Sequence, residues 1–126
     1  MSSIRALLPS FLIMAVIFFL SHQQAQAFPV QEIKHVDKAV HVLLYTILGL
    51  SYCHALKKRI HVAAQPVLLL TGIVFLCVVC GITDEFHQLY IPGRCFSWAD
   101  IIADGAGGLC AVFLYRRPLV SQRLIE

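Results

Sequence analysis

Residues 66–91 read PVLLLTGIVFLCVVCGITDEFHQLYI, and the first eighteen of them carry no charge. A membrane-spanning helix needs about 20 predominantly apolar residues, within a range of about 17–25. Pro66 suits a first helical turn, where its missing N–H leaves nothing unpaired. Pro92-Gly93 follows and should stop the helix. This run therefore predicts a helix over 66–91 that crosses a membrane. Its charged residues, Asp84 and Glu85, come near one end.

Three further apolar stretches flank it, over about 4–20, 36–56 and 98–115. Of the 126 residues, 59% are apolar and 13% charged, against about 45–50% and about 25% in an average soluble domain. A globule this small cannot hide such a surplus, because small domains keep much of their surface exposed. The expected architecture is all-α: one domain over 1–126, a polytopic four-transmembrane-helix bundle in a lipid solvent. Ser97 is a candidate N-cap for the fourth helix, with Asp100 as its capping-box partner, and Pro118 follows that helix. Trp98, Tyr90 and Tyr115 fall where interfacial aromatic belts belong.

Lysine and arginine set the orientation. Arg5, Lys57, Lys58, Arg59, Arg116, Arg117 and Arg123 would share one side, and Lys34, Lys38 and Arg94 the other. The positive-inside rule then places both termini in the cytoplasm. A rival reading takes residues 1–27 as a secretory signal cleaved after Ala25-Gln26-Ala27; the long apolar run and the early Pro9 argue against it. The net charge of +3 is modest, and no basic stripe interleaved with aromatics appears, so no nucleic-acid partner is expected. Cys53, Cys77, Cys80 and Cys110 lie in apolar runs and read as core residues. Cys77 and Cys80 form a C-x-x-C, but without the electropositive access that redox or metal pairs need. Cys95 falls in a loop. No metal and no cofactor are expected.

The polar residues are unevenly placed. Glu32, Asp37, Asp84, Glu85, Asp100 and Asp104 all fall on the outward side or in the outer parts of helices, with His35, His41 and His87; only Glu126 is cytoplasmic. Ionisable residues within a bilayer are costly, face the bundle interior and carry function. Helical spacing puts Lys38, His41 and Tyr45 on one face of the second helix, with Asp37 four residues before His41 and able to hydrogen-bond its ring. On the third, Asp84, His87 and Gln88 share a face, while Glu85 is turned about 100° from Asp84. On the fourth, Asp104 lies about 6 Å deeper than Asp100. Arg94 is the natural counter-ion, for Asp84 or for a ligand phosphate, since guanidinium grips such groups bidentately. Ala99, Ala103, Gly107 and Ala111 recur at every fourth place, a ladder that lets helix backbones approach closely in lipid.

The segment Asp37-Lys38-x-x-His41-x-x-x-Tyr45-x-x-Leu48-Gly49 is similar to the first signature of the VanZ-like membrane proteins. The segment Asp84-Glu85-x-x-Gln88-x-x-x-Pro92-Gly93-Arg94-x-x-Ser97-x-x-Asp100-x-x-x-Asp104-x-x-Gly107 resembles their second, and Ile17-Phe18-Phe19-Leu20-Ser21 resembles the close of their first helix. The resemblance covers nearly the whole chain, with one departure: many relatives carry Asn where this chain has Asp104. It implies a multi-pass protein of a bacterial cytoplasmic (inner) membrane, in a family named for a protein linked to teicoplanin resistance. It supplies no biochemical activity.

Three functions compete. The first is a non-enzymatic envelope protein that binds a lipid-linked or amphiphilic anionic molecule at the outer leaflet, through Lys38, His41, Tyr45, Gln88, Arg94, Asp100 and Asp104. It would bear on glycopeptide susceptibility. The second is an intramembrane hydrolase or transferase acting on lipid head groups. His41, Asp84 or Glu85 are its catalytic candidates, with Arg94 stabilising negative charge. No Ser-His-Asp order or H-E-x-x-H motif supports it, and Ser97 is more simply a cap. The third is a proton or ion conductor, which would require an oligomer because one four-helix bundle has little room for a pore. Membrane lipids are the expected surroundings in all three.

Overall fold

The computed structural model describes residues 3–23, 36–56 and 65–123, with side chains from Arg5 to Arg116. Glu32, Lys34, His35, Lys57, Lys58, Arg59 and the Ala25–Ala27 segment lie outside the described residues, as do the side chains of Arg117 and Arg123. Four helices follow in order: α1 Ser3–Ser21, α2 Val36–Leu56, α3 Pro66–Gln88 and α4 Trp98–Arg123. The expected all-α fold is present. Three of the helices, Val36–Leu56, Pro66–Gln88 and Trp98–Arg116, are long and apolar enough to cross a membrane, and Arg5–Ser21 is a shorter apolar helix.

The helices end for local reasons. Pro66 occupies the first turn of α3 as expected. α3 stops at Gln88 rather than Ile91, because the chain tightens there: Tyr90 N–H donates to His87 O and Ile91 N–H to Gln88 O, each reaching back three residues. Gly93 then takes φ 79°, and Arg94 N–H closes the turn on Ile91 O at 3.1 Å. Proline followed by a positive-φ glycine matches a type II turn. α4 continues past its expected end near Tyr115 to Arg123. Pro118 withdraws only one N–H from the ladder, close to the helix end.

α4 packs most extensively against α2, then against α3, while α1 lies against α2 and more lightly against α3. The small-residue ladder makes the α2–α4 contact close. A Cβ on Gly107 would sit 2.7 Å from Val42 O and 2.8 Å from Tyr45 Cβ, so only glycine permits this approach. Thr46 Oγ1 bridges the same contact, donating to Val42 O at 2.6 Å and to Gly107 O at 3.2 Å. Below it, Leu48, Cys53, Leu69, Ile73, Cys77 and Val112 form the apolar core. Ser51 ties α2 to Ser10 of α1 at 2.8 Å.

The outward surface is apolar on every helix, with Phe11 and Phe19 of α1, Leu43 of α2, Phe75 and Phe86 of α3, and Ile102 and Phe113 of α4 all exposed. Water would not support apolar exposure on all sides; hydrocarbon does. Cys110 faces this surface rather than the core, since it is one residue out of register with the ladder at Ala111. Tyr90 and Trp98 are exposed as an aromatic belt requires, whereas Tyr115 packs against the core.

Gly107→Val is expected to destabilise the bundle by about 1–3 kcal/mol through overpacking. Gly72→Ala, where nothing lies within 4 Å of the added carbon, should stay within about 1 kcal/mol of wild type. Thermal unfolding in detergent checks the pair.

Candidate functional site

At one end of the bundle, the start of α2, the end of α3 and the start of α4 bring their polar residues together. Asp84, Glu85 and Asp104 are fully buried, and Gln88 and Asp100 nearly so. Glycine again makes the space: a Cβ on Gly81 of α3 would collide with the Asp104 carboxylate. The expected gathering of Lys38, His41, Gln88, Asp100 and Asp104 is observed, but several pairings differ.

His41 meets Asp104, not Asp37: its Nδ1 lies 2.8 Å from Asp104 Oδ1. The closeness of α2 to α4 at Gly107 brings them within reach, whereas Asp37 is taken by its neighbour. Lys38 Nζ lies 2.6 Å from Asp37 Oδ2 and 2.8 Å from Asp100 Oδ1. The His41 ring is nearly parallel to Tyr45, at 7° and 6.3 Å between centroids.

Glu85 turns fully inward. Its Oε2 accepts the Ser97 N–H at 2.6 Å, and its Oε1 accepts Gln88 Nε2 at 3.3 Å. Half of the expected capping box forms, with Asp100 N–H donating to Ser97 Oγ at 3.3 Å. The other half comes from Glu85, across from α3. Glu85 therefore anchors the start of α4, a role that its 100° offset from Asp84 concealed.

Asp84 takes its hydrogen bonds from Ser21 Oγ at 2.7 Å and Gln88 Nε2 at 3.2 Å, rather than standing as the ion-pair partner of Arg94. Arg94 Nε donates to Gln23 O at 3.2 Å. Ser21 is the site residue that sequence reasoning missed, although it closes the Ile17–Ser21 segment that carries the family resemblance. His87 stays at the exposed edge, stacked on His22 with Nε2 3.2 Å from His22 Nδ1.

Beside this layer lies a cavity of about 250 Å³. Ile17, Leu20, Val40 and Leu44 form its apolar wall between α1 and α2, and Ser21, Asp37, His41, Tyr45, Gln88 and Arg94 its polar end. Of the expected binding residues, His41, Tyr45, Gln88 and Arg94 thus face one space. Lys38, Asp100 and Asp104 are not among its lining residues.

A helical bundle with an apolar exterior and a buried polar layer at one end defines a membrane protein. The VanZ/LLP1 family model matches residues 6–121, and the chain belongs to the VanZ/LLP1 family. No curated protein and no solved structure matches it.

Glu85→Ala should leave the Ser97 N–H without its acceptor and loosen the start of α4 by about 1–3 kcal/mol. Glu85→Gln keeps an acceptor oxygen and should lose less. Amide exchange over residues 97–101 reads the difference.

Proposed function

We propose that this protein binds an amphiphilic, lipid-linked molecule with an anionic head group at the outer leaflet of a bacterial cytoplasmic membrane. The observation that carries the reading is the two-sided cavity, whose apolar wall between α1 and α2 runs into a polar end. At about 250 Å³ it is slightly smaller than the roughly 300–1,000 Å³ typical of small-molecule pockets. It holds a head group and the first part of a chain, and the rest of the chain lies in lipid. Arg94 is the anchoring cation, presented by the Pro92-Gly93 turn. Lys38 serves less directly than expected, because it is not among the lining residues, and His41 enters the cavity with its Nδ1 held by Asp104.

In this reading all four helices span the membrane. Both termini are cytoplasmic, and the Arg94 turn faces outward. An effect on glycopeptide susceptibility would follow where the ligand is an envelope precursor.

A second reading has its own support. A buried carboxylate orienting a histidine ring, as Asp104 does for His41, is the arrangement of a general base and its positioning partner. His41 lines the cavity, so a hydrolase or transferase acting on the bound head group would use it.

Native mass spectrometry of protein released from minimal detergent tests the binding reading. Wild type should retain an amphiphile. Arg94→Ala should lose at least about tenfold in retention, since a charge-assisted hydrogen bond contributes about 1.5–3 kcal/mol and about 1.4 kcal/mol is tenfold. Leu44→Trp should also lose it by filling the cavity. A folded, monodisperse wild type that emerges empty would sink the reading.

Topology is tested separately. A membrane-impermeant maleimide should label Cys95, which is exposed in the α3–α4 connection, from the outside of intact spheroplasts. It should not reach a cysteine placed at position 58. The opposite pattern would invert the proposed orientation.

A further inference from the structure

The buried layer presents a mixed nitrogen and oxygen donor set. His41 of α2, Glu85 of α3 and Asp100 of α4 each bring a ligand atom to one point, all within 4.8 Å of one another. We propose that these three residues bind a divalent cation of the manganese or zinc class. The ion would bridge the protein to the anionic head group in the adjoining cavity.

Three observations support the site. The first is the orientation of His41. Asp104 Oδ1 holds Nδ1 at 2.8 Å, which leaves Nε2, on the far side of the ring, as the coordinating nitrogen. A carboxylate behind a histidine in this way fixes its tautomer and raises its basicity as a ligand.

The second is a shortage of donors. Among the described residues, Asp84 Oδ1 and Asp104 Oδ2 are buried and receive no hydrogen bond. Asp100 is only 7% exposed, and its Oδ1 has instead the ionic contact with Lys38 Nζ at 2.8 Å. Buried carboxylate oxygens need a partner, and an uncompensated charge costs several kcal/mol by order of magnitude.

The third is charge. Among the described residues this layer holds five carboxylates, Asp37, Asp84, Glu85, Asp100 and Asp104, against two permanent cations, Lys38 and Arg94. An anionic head group entering beside so many carboxylates would be repelled. A divalent ion between them turns that repulsion into attraction.

The donor types select the ion. One imidazole with two carboxylates suits zinc or manganese, whereas magnesium and calcium favour all-oxygen sets. Ion–ligand distances of about 2.0–2.2 Å require the three ligand atoms to close in from a present spacing of up to 4.8 Å. Lys38 does not block the site. Its Nζ also touches Asp37 at 2.6 Å, so it can settle there when the ion takes Asp100. Lys38 is a resident competitor, and its removal should strengthen uptake.

The site stands on these residues alone; the bridging role rests on the amphiphile reading. Full-length protein in nanodiscs is stripped with EDTA, equilibrated with Mn²⁺ or Zn²⁺, desalted and assayed for bound metal by elemental mass spectrometry. Wild type should retain about one ion per chain. His41→Gln, Glu85→Gln and Asp100→Asn, each close in shape to the original, should lose it. Asp104→Asn should weaken affinity about 10–100-fold, as loss of an outer carboxylate does. Lys38→Met should tighten binding. His22→Ala with Cys95→Ser breaks the exposed imidazole pair and removes the loop thiol, and should change nothing.

A folded wild type that takes up neither ion overturns the proposal. So does retention of the ion by all three ligand variants, or its loss on removing His22 and Cys95. Where a ligand variant fails to fold, the opposite responses of Asp104→Asn and Lys38→Met decide. A second arm measures amphiphile retention after EDTA. Retention unchanged by EDTA overturns the bridge and leaves the binding reading standing. Metal bound without any amphiphile supports the cation site and defeats the binding reading.

Discussion

Asp84, Glu85 and Asp104 are withdrawn from solvent in a bundle whose outer surface is apolar, and the rest of the structure is arranged around keeping them partnered. Lipid supplies no hydrogen bonds. Each group must therefore find its donor on another helix, and each such contact holds two helices in register. Ser21 brings the end of α1 to Asp84, and His41 ties α2 to Asp104. Glu85 reaches from α3 to the Ser97 amide at the start of α4. The polar layer is at once the stitching of the bundle and its chemically capable region.

Close backbone packing makes this possible. Hydrophobic pressure between helices is weak in a membrane, so contact depends on shape. Gly107 lets α2 settle on α4, and the same approach carries His41 to Asp104. Gly81 gives that carboxylate room against α3. Packing and site are coupled: the small residues that bring helices together also determine which titratable groups meet. Asp104 accepts from His41 and, when ionised, brings a buried charge that requires compensation.

The cavity follows from the one helix that packs less closely. α2, α3 and α4 meet at the glycine contacts, while α1 joins through Ile17, Met14 and its neighbours in the apolar core and through two polar links, Ser10 with Ser51 and Ser21 with Asp84. Space remains between α1 and α2, bordered by Ile17, Leu20, Val40 and Leu44 and ending at polar residues.

Much of this was determined by the sequence itself. Apolar runs of spanning length specify the four helices and where they begin, because a helix in lipid satisfies its own backbone, but the ends of α3 and α4 fall elsewhere than expected. The four-residue ladder specifies a packing face, and the crowding of acidic residues toward one end specifies where a site must lie. Partner choice is different, for it depends on distances between helices that share no local sequence. Spacing within α2 favoured Asp37 for His41, yet interhelical approach delivered Asp104. The turn arginine pointed to Asp84, yet Ser21, distant in the chain, holds it. The sequence offers Glu85 as a catalytic candidate turned about 100° from Asp84, yet in the bundle it anchors the start of α4. Periodicity encodes which side of a helix a residue occupies; only the packed bundle decides what stands opposite.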